Sequence, residues 1–217
     1  MPNWELEHGV RLEDWLPQYD IDWKIAEHFR FSEASRDTWA RTVQEAGGAY
    51  GVFYLGPESG NTVAGHNRGP LWRMEDWREL ARLVYRHLGL ALIIVGAAYD
   101  KSYSDQVLAS ESLSDICVLD RVGQWDIHET FRVCQGAKFV VSYQSGIGIF
   151  STYMRIPVAM WWRPHGDSIL PDRTLSFDEK MATAWVPPDI LQARRYAGLI
   201  YGRGDAHAVF SHLETWV

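Results

Sequence analysis

The chain has 217 residues, enough for one large domain or for one domain with an appendage. Hydrophobic residues make up 47% and charged residues 23%, which is ordinary for a globular protein with a sizeable core. The formal net charge of -7 argues against a surface that binds nucleic acid or an anionic membrane, although a local basic pocket is compatible with it.

The two cysteines, Cys117 and Cys134, form neither a Cys-x-x-Cys pair nor a Cys/His cluster with the spacing of a zinc site. Both lie in apolar or amphipathic stretches, so we expect reduced core thiols in a cytoplasmic protein. The N-terminus lacks a basic region followed by an apolar run, so no signal peptide is expected. The longest apolar run, Leu88–Tyr99, is too short for a transmembrane helix.

The first part of the chain predicts an arm followed by a helix. Residues 1–31 are rich in aromatic and acidic side chains without a clear period. Ser32–Ala46 predicts a helix, with Ser32 or Ser35 as its N-cap and Gly47-Gly48 at its end. We therefore divide the chain into an arm with a linker helix, residues 1–48, and a domain, residues 49–217.

Beyond residue 48, short apolar runs alternate with amphipathic segments. The apolar runs predict buried strands at Ala49–Leu55, Leu90–Val95, Ile116–Leu119, Lys138–Ser142 and Pro157–Trp162. The segments between them predict helices at Met74–Leu88, Tyr103–Ser110, Ile127–Cys134 and Ile147–Met154. This alternation implies right-handed βαβ units and an α/β fold, with a Rossmann-like, mainly parallel sheet flanked by helices.

The C-terminal region also predicts three elements. Met181–Val186 predicts a last strand before Pro187-Pro188, and Ile190–Tyr201 predicts a helix. Ala206–Trp216 predicts a further helix.

Ligands of open parallel sheets bind beyond the carboxyl ends of the strands, at helix N-termini. That rule selects four loops: Gly56–Pro70, Gly96–Lys101, the surroundings of Val122–Trp125, and Tyr143–Gly148. The last loop places two glycines and the Ser145 hydroxyl between a buried strand and a helix, where backbone N–H groups and the helix dipole favour a phosphate. A tight turn between strand and helix would also need glycine, so that alternative stays open.

Motifs of other nucleotide-binding proteins are absent. No G-x-G-x-x-G follows the first strand and no G-K-[ST] occurs, so dehydrogenase and P-loop NTPase functions lose support. Gln144-Ser145-Gly146 lacks the first glycine of a G-x-S-x-G elbow. A hydrolase would need a histidine and an aspartate brought in by the fold, and the eight histidines keep that alternative open.

Four stretches, in this order and spacing, carry a resemblance to a known family. They are the Gly56-Pro57 turn, Trp72 with the segment Met74–Ala81, the turn Leu92–Ala97, and the loop Ala137–Gly146; the strand at Ile156–Ala159 then follows. Over roughly Tyr50–Trp162 the chain resembles the C-terminal half of a GT-B glycosyltransferase of the heptosyltransferase-like family (glycosyltransferase family 9).

The resemblance implies a domain that binds an ADP-, UDP- or GDP-linked sugar for transfer to a glycan or lipopolysaccharide-type acceptor. It implies phosphate contacts from the first loop, a ribose contact from Asp100, and a diphosphate cradle at Ser145 and Gly146. The donor-binding residues expected by position are Gly56, Ser59, Asn61, Arg68, Gly96, Asp100, Tyr143, Gln144, Ser145 and Gly146. No cofactor or metal is expected, since the predicted site loops contain no Asp-x-Asp motif for a donor metal.

The chain departs from the family at the end of the loop Ala137–Gly146 and in the three residues that follow it. Gln144, Ile147 and Ile149 stand where the family has Asp, Pro and His. A lysine expected shortly before the tryptophan is replaced by Pro70, so a nearby cation, Arg68, Arg73 or Lys101, would have to neutralise the donor.

The resemblance also implies a separate N-terminal domain with the acceptor site and the catalytic carboxylate. Residues 1–48 are too few for such a domain, so we expect either an excised half or a short form that needs a partner domain. Asp14, Asp20 and Asp22 are candidate bases, but an acidic surface arm is the favoured interpretation. The alternatives are a catalytically inactive binding or assembly module whose tryptophan-rich arm forms a homo-oligomer, and a sugar-nucleotide epimerase.

Aromatic residues near the strand ends have two interpretations each. One of Trp161 and Trp162 should face the ligand or a helix layer, because strand neighbours face opposite sides. Tyr99 and Tyr143 flank the predicted cleft, where either side chain could stack on a base. The alternative to stacking is that the side chain packs in the core or lies exposed on the surface. His128, near the start of the domain's third predicted helix, could contact a nucleobase, but a surface histidine is the favoured interpretation.

Overall fold

A computed structural model describes residues 28–56, 72–143, 145–162, 186–200 and 204–217. The strands are β1 Tyr50–Tyr54, β2 Ala91–Ile94, β3 Val118–Asp120, β4 Val140–Tyr143, β5 Val158–Trp162 and β6 Tyr196–Ile200. The α-helices are α1 Glu33–Glu45, α2 Met74–Leu83, α3 Lys101–Leu108, α4 Ile127–Gly136, α5 Gly146–Tyr153, α6 Pro188–Gln192 and α7 Ala206–Glu214. A π-helical turn, Val84–Leu88, continues α2, and 3₁₀ turns lie at Ala98–Asp100 and Glu111–Leu113.

The six strands form one parallel sheet in the order β3-β2-β1-β4-β5-β6. The chain builds outward from β1 to β3, returns to place β4 beside β1, and then builds outward on the other side to β6. This arrangement confirms the predicted Rossmann-like α/β fold. The direction of the chain reverses between β1 and β4, which is where a crevice forms in doubly wound sheets.

Side chains of β1 alternate between two hydrophobic layers, as the period of a strand requires. Phe53 faces the layer that contains α2 and α7, whereas Val52 and Tyr54 face the layer that contains α1 and α4. The amphipathic segment predicted at Met74–Leu88 buries one face of α2, where Trp77 and Leu80 are fully buried. Burial of a side chain such as Leu80 contributes about 1.5–3 kcal/mol to stability.

Helix α1 is attached to α4 on the second layer. The Thr38 hydroxyl donates a hydrogen bond of 2.6 Å to Glu129 Oε1. The Arg132 guanidinium lies 3.9 Å from the ring centroid of Trp39, in a cation–π contact. The helix predicted at Ser32–Ala46 is therefore present as α1, and it packs against α4.

The helix predicted at Ile190–Tyr201 is wrong. Helix α6 ends at Gln192, Arg194 adopts a left-handed φ of 53°, and the chain then enters strand β6. The main chain of Tyr196–Ile200 hydrogen-bonds along β5, so pairing with a distant strand overrides the local preference. Except for the buried Val186, the strand predicted at Met181–Val186 lies outside the described residues, as do Asp14, Asp20 and Asp22.

The two cysteines are free thiols in different surroundings. Cys134 is buried between α4 and the sheet, and Cys117 is half-buried. Burial raises the pKa of the Cys134 thiol to about 12, so this group stays protonated at neutral pH.

Among the described residues, every helix is too short or too polar to cross a membrane.

Gly51, in the middle of β1, leaves room for the ring of Phe139 from the segment that leads into β4. A Cβ at Gly51 would lie 2.5 Å from Cε2 of Phe139, which is fully buried and cannot move aside. We expect Gly51→Ala to lower the free energy of unfolding by about 1–3 kcal/mol through overpacking. Gly146→Ala is the matched control, because a Cβ there meets no atom within 4 Å. Urea denaturation measures both variants, and equal stability of the two would contradict this packing.

Candidate functional site

A cavity of about 300 Å³ opens at the carboxyl ends of β1, β2 and β4, at the point where the sheet order reverses. Its volume is at the lower end of the range for ligand pockets. It is lined by Tyr54, Gly96, Ala97, Tyr99, Asp100, Trp125, Asp126, Ile127, Thr130, Ser145, Gly146 and Ile147. Four of the predicted donor-binding residues therefore line one cavity: Gly96, Asp100, Ser145 and Gly146.

Helix α5 begins at this cavity with a neutral cap. Ser145 is the N-cap, and its Oγ accepts a hydrogen bond of 3.2 Å from Gly148 N–H. Gly146 is exposed, and a Cβ built on it meets nothing within 4 Å. The first N–H groups of a helix have no carbonyl partner inside the helix, and they carry its partial positive charge. The start of α5 thus presents an open, positively polarised backbone to the cavity.

The second glycine of this loop has a packing role. A Cβ on Gly148 would overlap Ser142 Oγ and would lie 3.1 Å from the Met160 side chain. Gly148 therefore lets α5 approach β4 and β5 closely, whereas Gly146 faces the cavity. The tight-turn interpretation therefore holds for Gly148, whereas phosphate binding at Gly146 stays a prediction.

The turn after β2 holds Asp100 at the cavity. Asp100 Oδ2 accepts a hydrogen bond of 2.9 Å from Ala97 N–H, and the Asp100 N–H donates one of 2.9 Å to the Ala97 carbonyl. Gly96 is needed for this turn, since a Cβ there would lie 2.9 Å from Asp100 Oδ2. The Asp100 side chain is 5% exposed, so it forms part of the cavity wall and stabilises the turn that carries it.

Helix α4 also begins at the cavity, but its N-terminus is closed by carboxylates. Asp126 Oδ1 accepts from Glu129 N–H at 2.8 Å, and Glu129 Oε2 accepts from Asp126 N–H at 2.9 Å. This capping box satisfies two N–H donors at the start of α4, those of Asp126 and Glu129, and places two carboxylates there. An anion in the cavity is therefore repelled by the Asp126 side and attracted to the start of α5.

No lysine or arginine belongs to the part of the cavity wall that the structure describes. Arg73 instead makes two hydrogen bonds to Asp76, of 2.7 and 2.9 Å. Lys101 pairs with Asp105 and, at 3.0 Å, with Asp120, and these hydrogen bonds raise the pKa of Lys101. Arg73 and Lys101 are thus engaged with carboxylates, and Arg68 lies outside the described residues.

Tyr143 and Gly56 lie away from the cavity. The Tyr143 side chain is 1% exposed, and its hydroxyl accepts a hydrogen bond of 2.6 Å from Trp72 N–H. Gly56 follows β1, where a Cβ would lie 2.9 Å from Cε2 of the Tyr143 ring. Both residues therefore contribute to packing in the α2 layer. The predicted residues Ser59, Asn61 and Gln144 lie outside the described residues.

The remaining aromatic candidates are divided between core and surface. Trp161 is fully buried, and its ring centroid lies 4.6 Å from that of Trp72. Of the two predicted alternatives, the ligand side or a helix layer, Trp161 therefore faces a helix layer, the one that contains α2. His128 is exposed and stacks on Phe29 at 5.4 Å. Tyr99 lines the cavity and is 66% exposed.

Some of the cavity wall was not predicted residue by residue. Tyr54, Ile127 and Thr130 line it beside the predicted loops, and Ile147 lines it from within the predicted loop Tyr143–Gly148. Tyr54 is the last residue of β1, so the strand-end rule would have selected it had the loop been taken to begin two residues earlier, at the strand end itself. Among the described residues, no group of three or more His, Cys, Asp or Glu side chains could hold a metal ion.

Solved glycosyltransferase structures share this fold. A glycosyl transferase family 9 structure from Veillonella parvula DSM 2008 matches 87% of this chain and 52% of its own, with 11% identity and a TM-score of 0.63. The E. coli ADP-heptose lps heptosyltransferase II matches 87% of this chain and 52% of its own, with 16% identity and a TM-score of 0.58. The E. coli heptosyltransferase WaaC with ADP matches 93% of this chain and 51% of its own, with 19% identity and a TM-score of 0.55.

The chain has the fold of a single GT-B half. It spans about half the length of the solved structures that it matches. No protein-family model matches the sequence, and no curated protein matches it significantly. The predicted resemblance to heptosyltransferases is therefore confirmed at the level of the fold, and the cavity lies at the switch point of that GT-B half.

The Tyr143 hydroxyl provides a test of its packing role. We expect Tyr143→Phe to lower the free energy of unfolding by about 1–3 kcal/mol, because the buried Trp72 N–H loses its acceptor. Tyr85→Phe is the control, since Tyr85 is 36% exposed. Thermal and urea unfolding measure the difference. A Tyr143→Phe protein as stable as the control would show that the hydroxyl has no structural role.

Proposed function

We propose that this chain binds a nucleotide-diphosphate sugar in the cavity and serves as the donor-binding half of a glycosyltransferase. The observation that carries the proposal is the open, serine-capped start of α5 at the switch point of a GT-B half. The acceptor in this proposal is a glycan or a lipopolysaccharide-type molecule. The names of the similar structures support the donor class, since one is an ADP-heptose heptosyltransferase and another contains ADP.

The diphosphate would lie against Ser145 and Gly146, where backbone N–H groups and the helix dipole favour an anion. Asp100, on the neighbouring wall, would accept hydrogen bonds from ribose hydroxyls. Ser59, Asn61 and Gln144 keep the donor-contact roles proposed from the sequence, as does Arg68.

Transfer breaks the bond between the sugar and the diphosphate, and the acceptor hydroxyl oxygen forms the new bond to the sugar. Negative charge then develops on the leaving diphosphate. Polarised N–H groups already in place at the start of α5 would stabilise that charge without reorganisation. The base that takes the acceptor proton would come from the second half of a complete glycosyltransferase, provided by a partner domain.

We further propose that residues 49–217 form the donor-binding domain and that the protein acts in the cytoplasm. Both cysteines are free thiols, which agrees with a reducing compartment.

Gly146→Asp tests the proposed anion site. The new carboxylate has room, because a Cβ there meets nothing within 4 Å, and an acidic residue in the first turn favours the helix. It would repel a diphosphate, so we expect at least a tenfold loss of affinity for ADP-, UDP- or GDP-linked sugars without a loss of thermal stability.

Gly146→Asn is the matched control, because it adds nearly the same bulk without charge and should weaken binding less. Isothermal titration calorimetry measures the affinities. If the original protein binds none of these nucleotide sugars at millimolar concentration, the proposed function is wrong.

A further inference from the structure

The rim of the cavity carries an unusual share of exposed apolar surface. Among the described residues, four large hydrophobic side chains are exposed: Tyr85, Tyr99, Ile127 and Val217. Tyr99 and Ile127, exposed by 66% and 53%, both line the cavity. Single exposed apolar residues are common on protein surfaces, but two at the mouth of one cavity indicate a ligand surface.

Tyr99 is held at this rim by a well-anchored turn. Successive side chains of a 3₁₀ turn point about 120° apart, so Ala98, Tyr99 and Asp100 face three directions. Ala98 packs on Gly123, where a Cβ would lie 2.9 Å from Ala98 Cα, and Asp100 is buried in the wall. The Gly123 N–H also donates a hydrogen bond of 2.9 Å to the Gly96 carbonyl. The tyrosine ring is therefore presented outward from a backbone that its neighbours hold in place.

Opposite walls of the cavity suit different parts of a nucleotide. The start of α5 follows β4, whereas the Tyr99 turn follows β2, and β1 lies between them. Two interstrand spacings separate these strands by about 10 Å. The α5 side offers polarised N–H groups, and the Tyr99 side offers aromatic and aliphatic surface from Trp125 and Ile127. A ligand with an anionic end and a flat apolar end, joined by a ribose, matches this division.

Trp125 reinforces the apolar side. It is half-buried in the α1 and α4 layer, and the Arg121 guanidinium lies 5.9 Å from the ring centroid. The carboxylates of Asp100 and Asp126 on the same side disfavour a second anionic group there. The base end of the ligand is thus directed towards Tyr99 by apolar contact and by charge together.

We propose that Tyr99 binds the nucleobase of the donor by stacking and that Ile127 contacts the base from the start of α4. This inference rests on the proposed function and assigns the base-recognition surface within the same cavity. Stacking on an aromatic ring tolerates any base, so it supplies affinity for the nucleotide while other contacts choose the base.

The test compares ligands with and without a base. Calorimetric titrations of Tyr99→Ala with ADP, UDP, GDP and inorganic pyrophosphate separate base contacts from phosphate contacts. We expect about a five- to hundredfold loss of affinity for the nucleotides and a change of less than about twofold for pyrophosphate. Tyr99→Phe keeps the ring and should keep the nucleotide affinity. Tyr85→Ala, in the π-helical turn that continues α2, is the control and should bind all four ligands as the original protein does.

Saturation-transfer NMR gives a second measurement of the same contact. Base protons of a bound nucleotide should receive saturation from the original protein and lose most of it with Tyr99→Ala, relative to the ribose protons. Tyr99→Ala should melt at the temperature of the original protein, because the ring is mostly exposed.

Three results would overturn the inference. If Tyr99→Ala binds nucleotides as tightly as the original protein while Gly146→Asp does not, the base lies elsewhere and the proposed function stands. If Tyr99→Ala weakens pyrophosphate and nucleotides equally, the residue acts on the phosphate end. If the original protein binds no nucleotide, the inference and the proposed function are both wrong.

Discussion

The parallel pairing of β1 with β4 is the constraint on which the rest of the structure depends. Val52 pairs with Val140 and Tyr54 pairs with Ser142, although β2 and β3 separate the two strands along the chain. The helices α2 and α5, which follow β1 and β4 along the chain, pack on opposite faces of the sheet, so a crevice opens between the two strands. Because of this pairing, the end of β1 and the start of α5 line one cavity.

Close packing on the sheet and an open surface at the cavity come from adjacent residues of one loop. Gly148 lets α5 lie against β4 and β5, and Ser145 caps the helix, so the first turn is held in place. A Cβ on Gly146, which lies between them, would meet no atom within 4 Å. A rigid helix start with an exposed backbone is what an anion site requires, since the N–H groups are oriented before the ligand arrives.

Among its described lining residues, the cavity has no lysine or arginine that could form an ion pair with an anionic ligand. Arg73 and Lys101 hydrogen-bond to nearby carboxylates, and the described cavity wall carries Asp100 and Asp126. Among the described lining residues, attraction for an anion therefore comes from the dipole of α5, on the other side of the cavity from Asp100 and Asp126; this attraction acts over one turn of helix. This local attraction and the acidic opposite wall together orient a ligand with one anionic end.

The sequence by itself determined β1 to β5, the helices between them and the α/β class, because strand and helix periods are local properties of the chain. It also placed Gly96, Asp100, Ser145 and Gly146 at one sheet edge, since parallel strands end on the same side. Only the tertiary structure decided that Tyr196–Ile200 is a strand, because its hydrogen-bond partner β5 is distant in sequence. It likewise decided the role of Tyr143: β4 extends one residue beyond the predicted end, and a strand position fixes the face to which its side chain points.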